Sequence, residues 1–367
     1  MLEEDLLYVL ALQRVKGIGD INAKKLIAHC GSAKNVLTAK RHTLEKINGI
    51  GSFTLKNIFD SANLKEAEKE LQYIQKNSIE TLYFTDENYP ERLKHCVDAP
   101  ILFFKEGNFE LKNQAIISIV GTRKITSYGR DFCEKLIFDL TAYNPIIVSG
   151  FAYGVDICAH RAALKNNLQT IGVLAHGFEE VYPKSHKKYV SEINKNGGFI
   201  TDFWHNDELQ RENFLKRNRI VAGISEATII IESAEKGGSL VTADIANSYS
   251  RDVFAVPGRS TDLYSKGCND LIKRNKAAIL TSANDLIELL NWELEPKQLK
   301  VIQKQLFVEL TEVEQLIYDF LLENGKQLLD LISLSCKLPI HQTTTLLFNL
   351  EMKGVVKPLP GKLFEAV

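Results

Sequence analysis

The centre of the sequence, about residues 111–290, consists of apolar runs that alternate with helical patterns, and this alternation limits the possible folds most strongly. Seven runs have the length of a strand: AIISIV, PIIVS, TIGVLA, GGFIT, ATIIIE, DVFAV and AAIL. A strand that is apolar along its whole length is buried on both faces, as in parallel sheets that helices cover on both sides. We therefore predict an α/β fold with a central Rossmann-like, doubly wound and mostly parallel sheet.

Two short runs before this region extend the same domain. TLYF, at 81–84, and ILFF, at 101–104, have the aromatic and aliphatic composition of strands. We predict that residues 66–110 form a connecting segment whose strands join an edge of the sheet. The Rossmann-like domain then covers residues 66–295.

The N-terminal part contains an internal repeat. VKGIGDINAKKLI, Val15 to Ile27, is followed by INGIGSFTLKNI, Ile47 to Ile58. The repeat predicts a tandem helix-hairpin-helix, SAM-like module over residues 1–65. Paired glycines allow a tight turn, and the amides at the start of the next helix can hold a phosphate. The ten cationic and six acidic residues of 1–65 favour an anionic partner, while the alternative is that the G-I-G turns only connect helices.

The C-terminal part, 300–367, has the pattern of a winged helix. Its first helix begins at a capping box formed by Thr311 and Glu314. Two more helical segments and a hairpin that turns at LPGK follow. The third helix, PIHQTTTLLFNL, contains no Lys or Arg, whereas a DNA-reading helix meets phosphates with cations. We predict that this domain docks on protein and does not read duplex DNA.

The loops after the predicted strands carry the candidate phosphate ligands. Ligands of open parallel sheets bind beyond the carboxyl ends of the strands. Glycine backbones, hydroxyl groups and helix N-termini are suited to bind anions there. The chain has neither G-x-G-x-x-G nor G-x-x-x-x-G-K-[ST], so we expect no dinucleotide or other cofactor. The loop residues selected on this basis are Gly121, Thr122, Arg123, Ser149, Gly150, Lys184, Gly237, Gly238, Ser239 and Thr242.

The segment ENFLKRNRIVAGIS, Glu212 to Ser225, concentrates cations before a buried strand. With Asn213 as the N-cap, a helix over 214–223 places Arg217 among the aliphatic residues, and Lys216 and Arg219 on the opposite side. The first turns of a helix disfavour positive charge. We interpret Lys216, Arg217, Asn218 and Arg219 as ligands of nucleic-acid phosphates. The alternative is a solvated face with one internal ion pair, for which Glu232 is the candidate partner.

Aromatic residues in the same loops suggest a single-stranded partner, because bases stack on aromatic rings whatever the sequence. The candidates for stacking are Phe151, Tyr153, Phe178 and Tyr182, with a place in the core as the alternative for each. Asp156 and His160 are spaced i, i+4, and we interpret them as residues that cap a helix and brace a loop. We predict no catalytic residue.

The central motifs, in order, are VGTRKITSYG, SGFAYGVDICAHRAAL, VYPKSH, FLKRNRIVAGIS, EKGGSLVTADIA and FAVPG. The series resembles that of the DNA processing protein A (DprA) family. The resemblance implies a single-stranded DNA-binding recombination mediator that protects incoming DNA and assists RecA loading in natural transformation. It also implies a homodimer formed through the Rossmann-like domain and no catalytic activity. The family's DNA-contacting residues correspond to Arg123, Lys184, Arg217 and Arg219.

The sequence departs from the family pattern at three places. Leu215 replaces the proline of F-P-x-R-N-R, Thr201–Asp202 replaces Ser-Glu, and Ala277–Ala278 replaces Gly-Ala. None of these changes removes a proposed phosphate donor.

Two other classes of function remain open. KGGSLVTA resembles the phosphate loop of nucleotide phosphoribohydrolases, although Ala243–Asp244 stands where those enzymes have paired glutamates. The third possibility is a protein-interaction scaffold. The net charge of −1 means that an anionic partner must be bound by a local patch. The six dispersed cysteines, without C-x-x-C, and the lack of a signal peptide or long apolar run predict a cytoplasmic protein with no metal site and no membrane contact.

Overall fold

A computed structural model describes residues 3–293, 310–359 and 361–366. These residues fall into two compact units, one within Met1–Leu294 and the other within Glu295–Val367. The first unit contains the N-terminal helices together with the sheet. The predicted boundary between 295 and 300 lies outside the described residues.

The chain begins with helices that are joined by two similar glycine turns. Gly17 and Gly49, the first glycines of the two G-I-G sequences, have φ angles of 89° and 94°, in the left-handed region that glycine adopts readily. Each turn leads directly into a helix, α2 or α5, and the side-chain amide of Asn57 donates to the Lys16 carbonyl at 3.1 Å. The helices are α1 Glu3–Arg14, α2 Asp20–Cys30, α3 Ala33–Thr38, α4 Arg41–Leu44, α5 Ser52–Ile58 and α6 Ala62–Lys76.

A nine-stranded sheet follows, with the order β1-β2-β6-β5-β4-β3-β7-β8-β9. The pairs from β6 to β9 are parallel. β1 and β2 join one edge of the sheet, as predicted, and their pairing is antiparallel. The predicted α/β fold with a large, mostly parallel central sheet is therefore confirmed. The strands are β1 Glu80–Tyr83, β2 Leu102–Gly107, β3 Ile116–Val120, β4 Ile146–Ser149, β5 Thr170–Val173, β6 Gly197–Thr201, β7 Ala227–Ile230, β8 Asp252–Ala255 and β9 Ala278–Ile279.

Helices cover both faces of the sheet. Successive residues of a strand enter different cores, because strand side chains alternate between the two faces. Ile147 packs in the core beneath α8 and α9, and its neighbour Val148 packs in the core beneath α11 and α12. The helices of this region are α7 Glu91–Lys94, α8 Ser127–Asp139, α9 Val155–Lys165, α10 Lys187–Lys195, α11 Arg211–Ile224, α12 Gly238–Ser248, α13 Lys266–Lys273 and α14 Ala283–Leu289.

The strand order reverses between β3 and β7. From β3 the chain runs outward through β4, β5 and β6, and it then returns to place β7 on the other side of β3. The loops after β3 and β7 therefore diverge. Such a switch point opens a crevice at the carboxyl edge of the sheet, where ligands of doubly wound folds bind.

The second unit contains helices α15 Glu312–Asn324, α16 Leu329–Ser335 and α17 Ile340–Met352, with a three-stranded sheet. The predicted capping box is present, since Thr311 accepts from the Glu314 amide and the Glu314 carboxylate accepts from Thr311. Pro360, in the predicted LPGK turn, lies outside the described residues. The strands β10 Gln327–Leu328, β11 Val356–Leu359 and β12 Leu363–Ala366 have the order β10-β12-β11.

In neither unit does a described helix combine the length and the apolar character that crossing a membrane requires.

Candidate nucleic-acid interface

A cleft of about 740 Å³ opens at the switch point between β3 and β7. Its walls are the loops after β3, β4, β5, β6 and β7 and one side of α11. Eleven of the residues selected from the sequence line this single cleft: Gly121, Thr122, Arg123, Gly150, Tyr182, Arg217, Asn218, Gly237, Gly238, Ser239 and Thr242.

Arg217 lies at the base of this cleft. Its side chain is buried, with 4% of the residue exposed, and Nη1 donates to the Val173 carbonyl at 2.5 Å. Nε is buried without a hydrogen-bond partner among the described residues. A Cβ atom on Gly150 would overlap the guanidinium group. Gly150 was predicted to bind phosphate. In the structure its lack of a side chain provides the space that the Arg217 guanidinium occupies.

The charge of Arg217 is not neutralised by a direct ion pair within the described parts of the chain. Burial lowers the pKa of Arg217 to about 10, against the opposing effect of Asp156 and with a further lowering by Arg123. The side chain therefore carries its positive charge at neutral pH. The alternative interpretation, an ion pair with Glu232, is not observed, since the Glu232 carboxylate accepts from the Thr126 amide at 2.9 Å and from the Thr126 hydroxyl.

The N-terminus of α12 supplies backbone donors to the same cleft. The first amides of a helix have no carbonyl partner within the helix, and α12 begins at Gly238 after the N-cap Gly237. The space beside the Gly238 Cα atom is open, because no atom lies within 4 Å of a Cβ atom placed on it. The Ser239 hydroxyl was predicted to donate to a phosphate, but it donates to the Ser233 hydroxyl at 2.9 Å. Thr242 is buried, so this loop offers mainly backbone groups.

Arg123 and two aromatic rings form the outer part of the cleft. The exposed Arg123 guanidinium lies 5.1 Å from the centre of the Phe214 ring, and Tyr182 meets the same ring edge-on at 6.0 Å. Tyr182 is 39% exposed, so its ring is accessible to a base. Phe214 and Arg211 also line the cleft, although neither was selected from the sequence.

The start of α11 explains why Arg211 was missed, whereas Phe214 lay within the predicted helix over 214–223. The helix begins at Arg211 with Gln210 as its N-cap, three residues before the predicted N-cap Asn213. The Asn213 side chain instead donates to the Ala175 and Glu208 carbonyls at 3.2 and 3.1 Å. A helix that starts at Arg211 brings Arg211, Phe214 and Asn218 to one side by the i, i+3, i+7 rule.

Three of the four predicted stacking residues lie outside the cleft lining. Phe151 is 1% exposed and its ring packs between His160, His186 and Phe199, so stacking by Phe151 is contradicted. Phe178 is partly buried against two apolar cores. Tyr153 is exposed but packs against His186 at 5.0 Å.

Ser149 also has an internal role. It is fully buried, and its hydroxyl donates to the Ile119 carbonyl at 2.6 Å, linking β4 to β3. The prediction that Ser149 binds phosphate is contradicted by this burial.

Lys184 and Lys216 are exposed cations outside the cleft lining. Lys184 begins a short turn that follows Tyr182 and Pro183 at the rim. Lys216 faces a second cavity, of about 730 Å³, on the other side of α11. Neither lysine forms an ion pair with a residue that the structure describes.

The surroundings of Arg219 contradict its interpretation as a ligand of nucleic-acid phosphates. Its guanidinium binds the carboxylates of Asp202 at 2.5 Å and Asp20 at 2.9 Å, and it donates to the Asp98 carbonyl. The side chain is only 15% exposed. Burial lowers the pKa of Arg219, but Asp202 and Asp20 outweigh it, so the pKa is raised overall. Nε of Arg219, like that of Arg217, is buried without a hydrogen-bond partner among the described residues. The charge of Arg219 is nevertheless compensated by two carboxylates, so its guanidinium is not available to a DNA phosphate.

Asp156 and His160 brace the loop after β4. Asp156 is buried and accepts from the Ala152 amide at 3.2 Å. His160 contacts the Thr170 hydroxyl at 2.7 Å, and burial lowers its pKa to about 3, so the ring is neutral. Across the described ranges, no group of His, Cys, Asp and Glu side chains could hold a metal ion.

The fold and the cleft together define a class of protein. A cationic, amide-lined crevice at the switch point of a doubly wound sheet characterises a Rossmann-like anion-binding protein. A family model described as DNA recombination-mediator protein A matches residues 80–291, more than half of this chain. The chain belongs to this family.

Relatives and solved structures agree with this assignment. DNA processing protein DprA of Bacillus subtilis (strain 168) is 36% identical over 215 residues, which cover 58% of this chain and 72% of that protein. The X-ray structure of DNA processing protein A from Streptococcus pneumoniae matches with a TM-score of 0.66 and 30% identity, covering 79% of this chain and 99% of that one. A structure of DNA processing protein A from Helicobacter pylori, which concerns the single-stranded DNA binding mode of that protein, matches with a TM-score of 0.53 and 29% identity over 58% and 95% of the two chains.

Proposed function

We propose that this protein binds single-stranded DNA in the cleft beside β3 and β7 and acts as a recombination mediator. The observation that carries the proposal is the convergence of Arg217, Arg123 and the N-terminus of α12 on one cleft. Membership of the family supports it, as does the DNA binding described for the Helicobacter pylori protein.

The electrostatics of the cleft favour a phosphate as the ligand. Burying a charge is costly unless a partner compensates it, and Arg217 has no ion-pair partner within the described ranges. A phosphate in the cleft supplies that partner and also meets the positive end of α12. Tyr182 and Phe214 offer apolar ring surface to bases at the rim. In a duplex the base faces are already stacked, so this arrangement favours a single strand.

The finer parts of the function follow the family resemblance. We propose that the protein protects incoming DNA, assists RecA loading during natural transformation, and forms a homodimer through the Rossmann-like domain in the cytoplasm. The two G-I-G turns support a helix-hairpin-helix module over 1–65 ahead of the Rossmann-like domain of 66–295. For 300–367 we propose a winged-helix domain that docks on protein, because Ile340, Phe348 and Met352 of α17 are exposed and apolar.

A titration with labelled oligonucleotides tests the central proposal. Fluorescence anisotropy of the full chain with a single-stranded 20-mer and with the matching duplex, at several salt concentrations, measures both affinity and its salt dependence. We expect tighter binding to the single strand and a steep loss of affinity with salt, because counterions are released from the phosphates. Equal binding to both DNAs, or none to the single strand, would overturn the proposal.

The enzymatic alternative receives no support at the position that it requires. Where nucleotide phosphoribohydrolases have their paired glutamates, Ala243 is buried and Asp244 points to the surface, where it pairs with Lys276 at 2.8 Å. We therefore expect no release of free base when the protein is incubated with nucleoside monophosphates. Turnover in that assay would contradict the assignment as a mediator without enzymatic activity.

A further inference from the structure

One wall of the cleft is a loop that the N-terminal helices hold in place. This loop, which we call the β6–α11 segment, covers residues 202–210, and its last residues, Leu209 and Gln210, line the cleft. The Trp204 indole nitrogen donates to the Gln13 side chain at 3.2 Å. Arg14 binds Asp207 at 2.7 Å, and its guanidinium lies 4.4 Å from the centre of the Trp204 ring. Both Gln13 and Arg14 belong to the last turn of α1.

A second contact fixes the middle of the segment. Glu70 of α6 is buried, and its carboxylate accepts from the His205 amide at 3.2 Å and contacts the His205 ring nitrogen. Tyr73, one turn further along α6, stacks on the same ring with the ring centres 4.1 Å apart. The segment has no helix or strand of its own. These contacts therefore stabilise its conformation together with the hydrogen bonds between Trp204 and Asp207 within the segment.

A third contact joins α11 itself to the first G-I-G turn. Asp20, the first residue of α2, binds Arg219 through one carboxylate oxygen and accepts from the Ile101 amide at 2.8 Å through the other. Arg219 is two residues from Arg217. The carboxylate of the first residue of α2 thus joins this helix to α11 and to the segment before β2.

We infer that the N-terminal helices are a positioning element for the DNA cleft, in which Asp20, Gln13, Arg14 and Glu70 order the β6–α11 segment and α11 without touching DNA. This inference rests on the proposed function of the cleft. Ordering a loop costs conformational entropy. If the N-terminal helices order it before DNA arrives, that cost does not reduce the affinity.

The decisive variant is Asp20→Ala, with Glu68→Ala as its matched control. Both remove one negative charge from the N-terminal helices, but Glu68 is exposed on α6 and has no partner among the described residues. Simple electrostatics predicts that removing an acidic residue strengthens DNA binding or leaves it unchanged. We expect Glu68→Ala to follow that rule and Asp20→Ala to bind the single strand about tenfold more weakly. Asp20 holds Arg219 of α11, and Arg219 holds Asp202 at the start of the segment, so α11 and the segment must then be ordered on binding.

The salt dependence separates positioning from contact. A lost phosphate contact lowers the slope of log affinity against log salt by about one, whereas a lost positioning contact leaves it unchanged. We expect an unchanged slope for Asp20→Ala and a return of affinity in Asp20→Glu. If Asp20→Ala folds poorly, Asp207→Asn serves as the test in its place, because it is a milder change in a half-buried side chain. We expect it to show the same pattern. The inference would be overturned if Asp20→Ala bound the single strand as tightly as Glu68→Ala does, or if Asp20→Ala had a reduced salt slope.

Trp204 provides a readout that does not depend on DNA. The chain has two tryptophans, so Trp292→Phe leaves Trp204 as the only one. In that background we expect Asp20→Ala and Gln13→Ala to shift the emission to longer wavelength and to increase quenching by acrylamide, because Trp204 is buried in the intact arrangement. An unchanged spectrum contradicts the inference even if the protein binds no DNA at all. Failure of the parent protein to bind DNA would instead contradict the proposed function.

Discussion

Arg217 and Arg219 lie two residues apart on α11, yet they face two different cavities and have opposite surroundings. Arg217 is the more deeply buried of the two and has no carboxylate partner within the described residues, whereas Arg219 lies between Asp202 and Asp20. Burial alone therefore does not distinguish a structural cation from a binding cation. The difference lies in whether the protein itself supplies the counter-charge.

The first prediction concerns the satisfied arginine and has the largest expected effect. Arg219→Met leaves Asp202 buried without its cation, and removing one member of a buried ion pair costs about 3–5 kcal/mol. We expect a loss of that size in the free energy of unfolding, measured by urea titration. Arg274→Met is the control, since its ion pair with Asp270 is exposed and should change stability by less than about 0.5 kcal/mol.

Adding Asp202→Asn sharpens this first test. In the double variant the buried carboxylate is gone as well, so part of the lost stability should return. If Arg219→Met unfolds at the same urea concentration as the parent, Arg219 is not a structural cation and the contrast with Arg217 disappears.

The second prediction concerns the unsatisfied arginine. Arg217→Met removes a buried cation and replaces it with an apolar side chain, so the free energy of unfolding should stay the same or rise. Single-stranded DNA binding should fall about 100-fold, because a buried cation that meets a phosphate contributes on the order of 2–5 kcal/mol. Arg161→Met, an exposed arginine of α9 outside the cleft lining, should leave both quantities near those of the parent. Retained DNA affinity in Arg217→Met would refute its assignment to the site.

The third prediction tests the space around Arg217 while keeping its charge. Gly150→Ala places a Cβ where the guanidinium lies, so Arg217 must move. We expect about a tenfold loss of DNA affinity, the scale on which a displaced charged contact acts. Gly51→Ala is the matched control, since no atom lies within 4 Å of a Cβ there. Normal binding by Gly150→Ala would show that the position of Arg217 does not matter.

These contrasts also show what the sequence could and could not predict. The runs from AIISIV to AAIL identified the parallel strands because buried strands are apolar throughout, and the loops that follow them contain residues that line a single cleft. The burial of Arg217 was also predicted, since its helical phase matches that of Ile220 and Val221. Both results depend on local patterns, which a single sequence contains.

The errors have a different origin, because they depend on contacts between residues far apart in the chain. Arg219 was assigned to DNA because its partner Asp20 lies in another helix almost 200 residues earlier. Phe151 was assigned to a base, but its φ of 61° lies in the left-handed region, which a bulky residue rarely adopts. Its ring packs against His160, His186 and Phe199. Neither the ion pair of Arg219 nor the burial of the Phe151 ring can be predicted from residue spacing.

The last and smallest prediction concerns an exposed cation at the rim, which is neither paired internally like Arg219 nor buried like Arg217. Lys184→Ala should weaken single-stranded DNA binding only severalfold, equally for every sequence, and lower the salt slope by about one, as expected for a single solvated phosphate contact. Lys165→Ala is the control, because Lys165 is an exposed residue in the last turn of α9, the end remote from the cleft. If Lys184→Ala keeps the full slope, the DNA path does not pass over this rim, and the binding charge is confined to Arg217, Arg123 and their neighbours in the cleft.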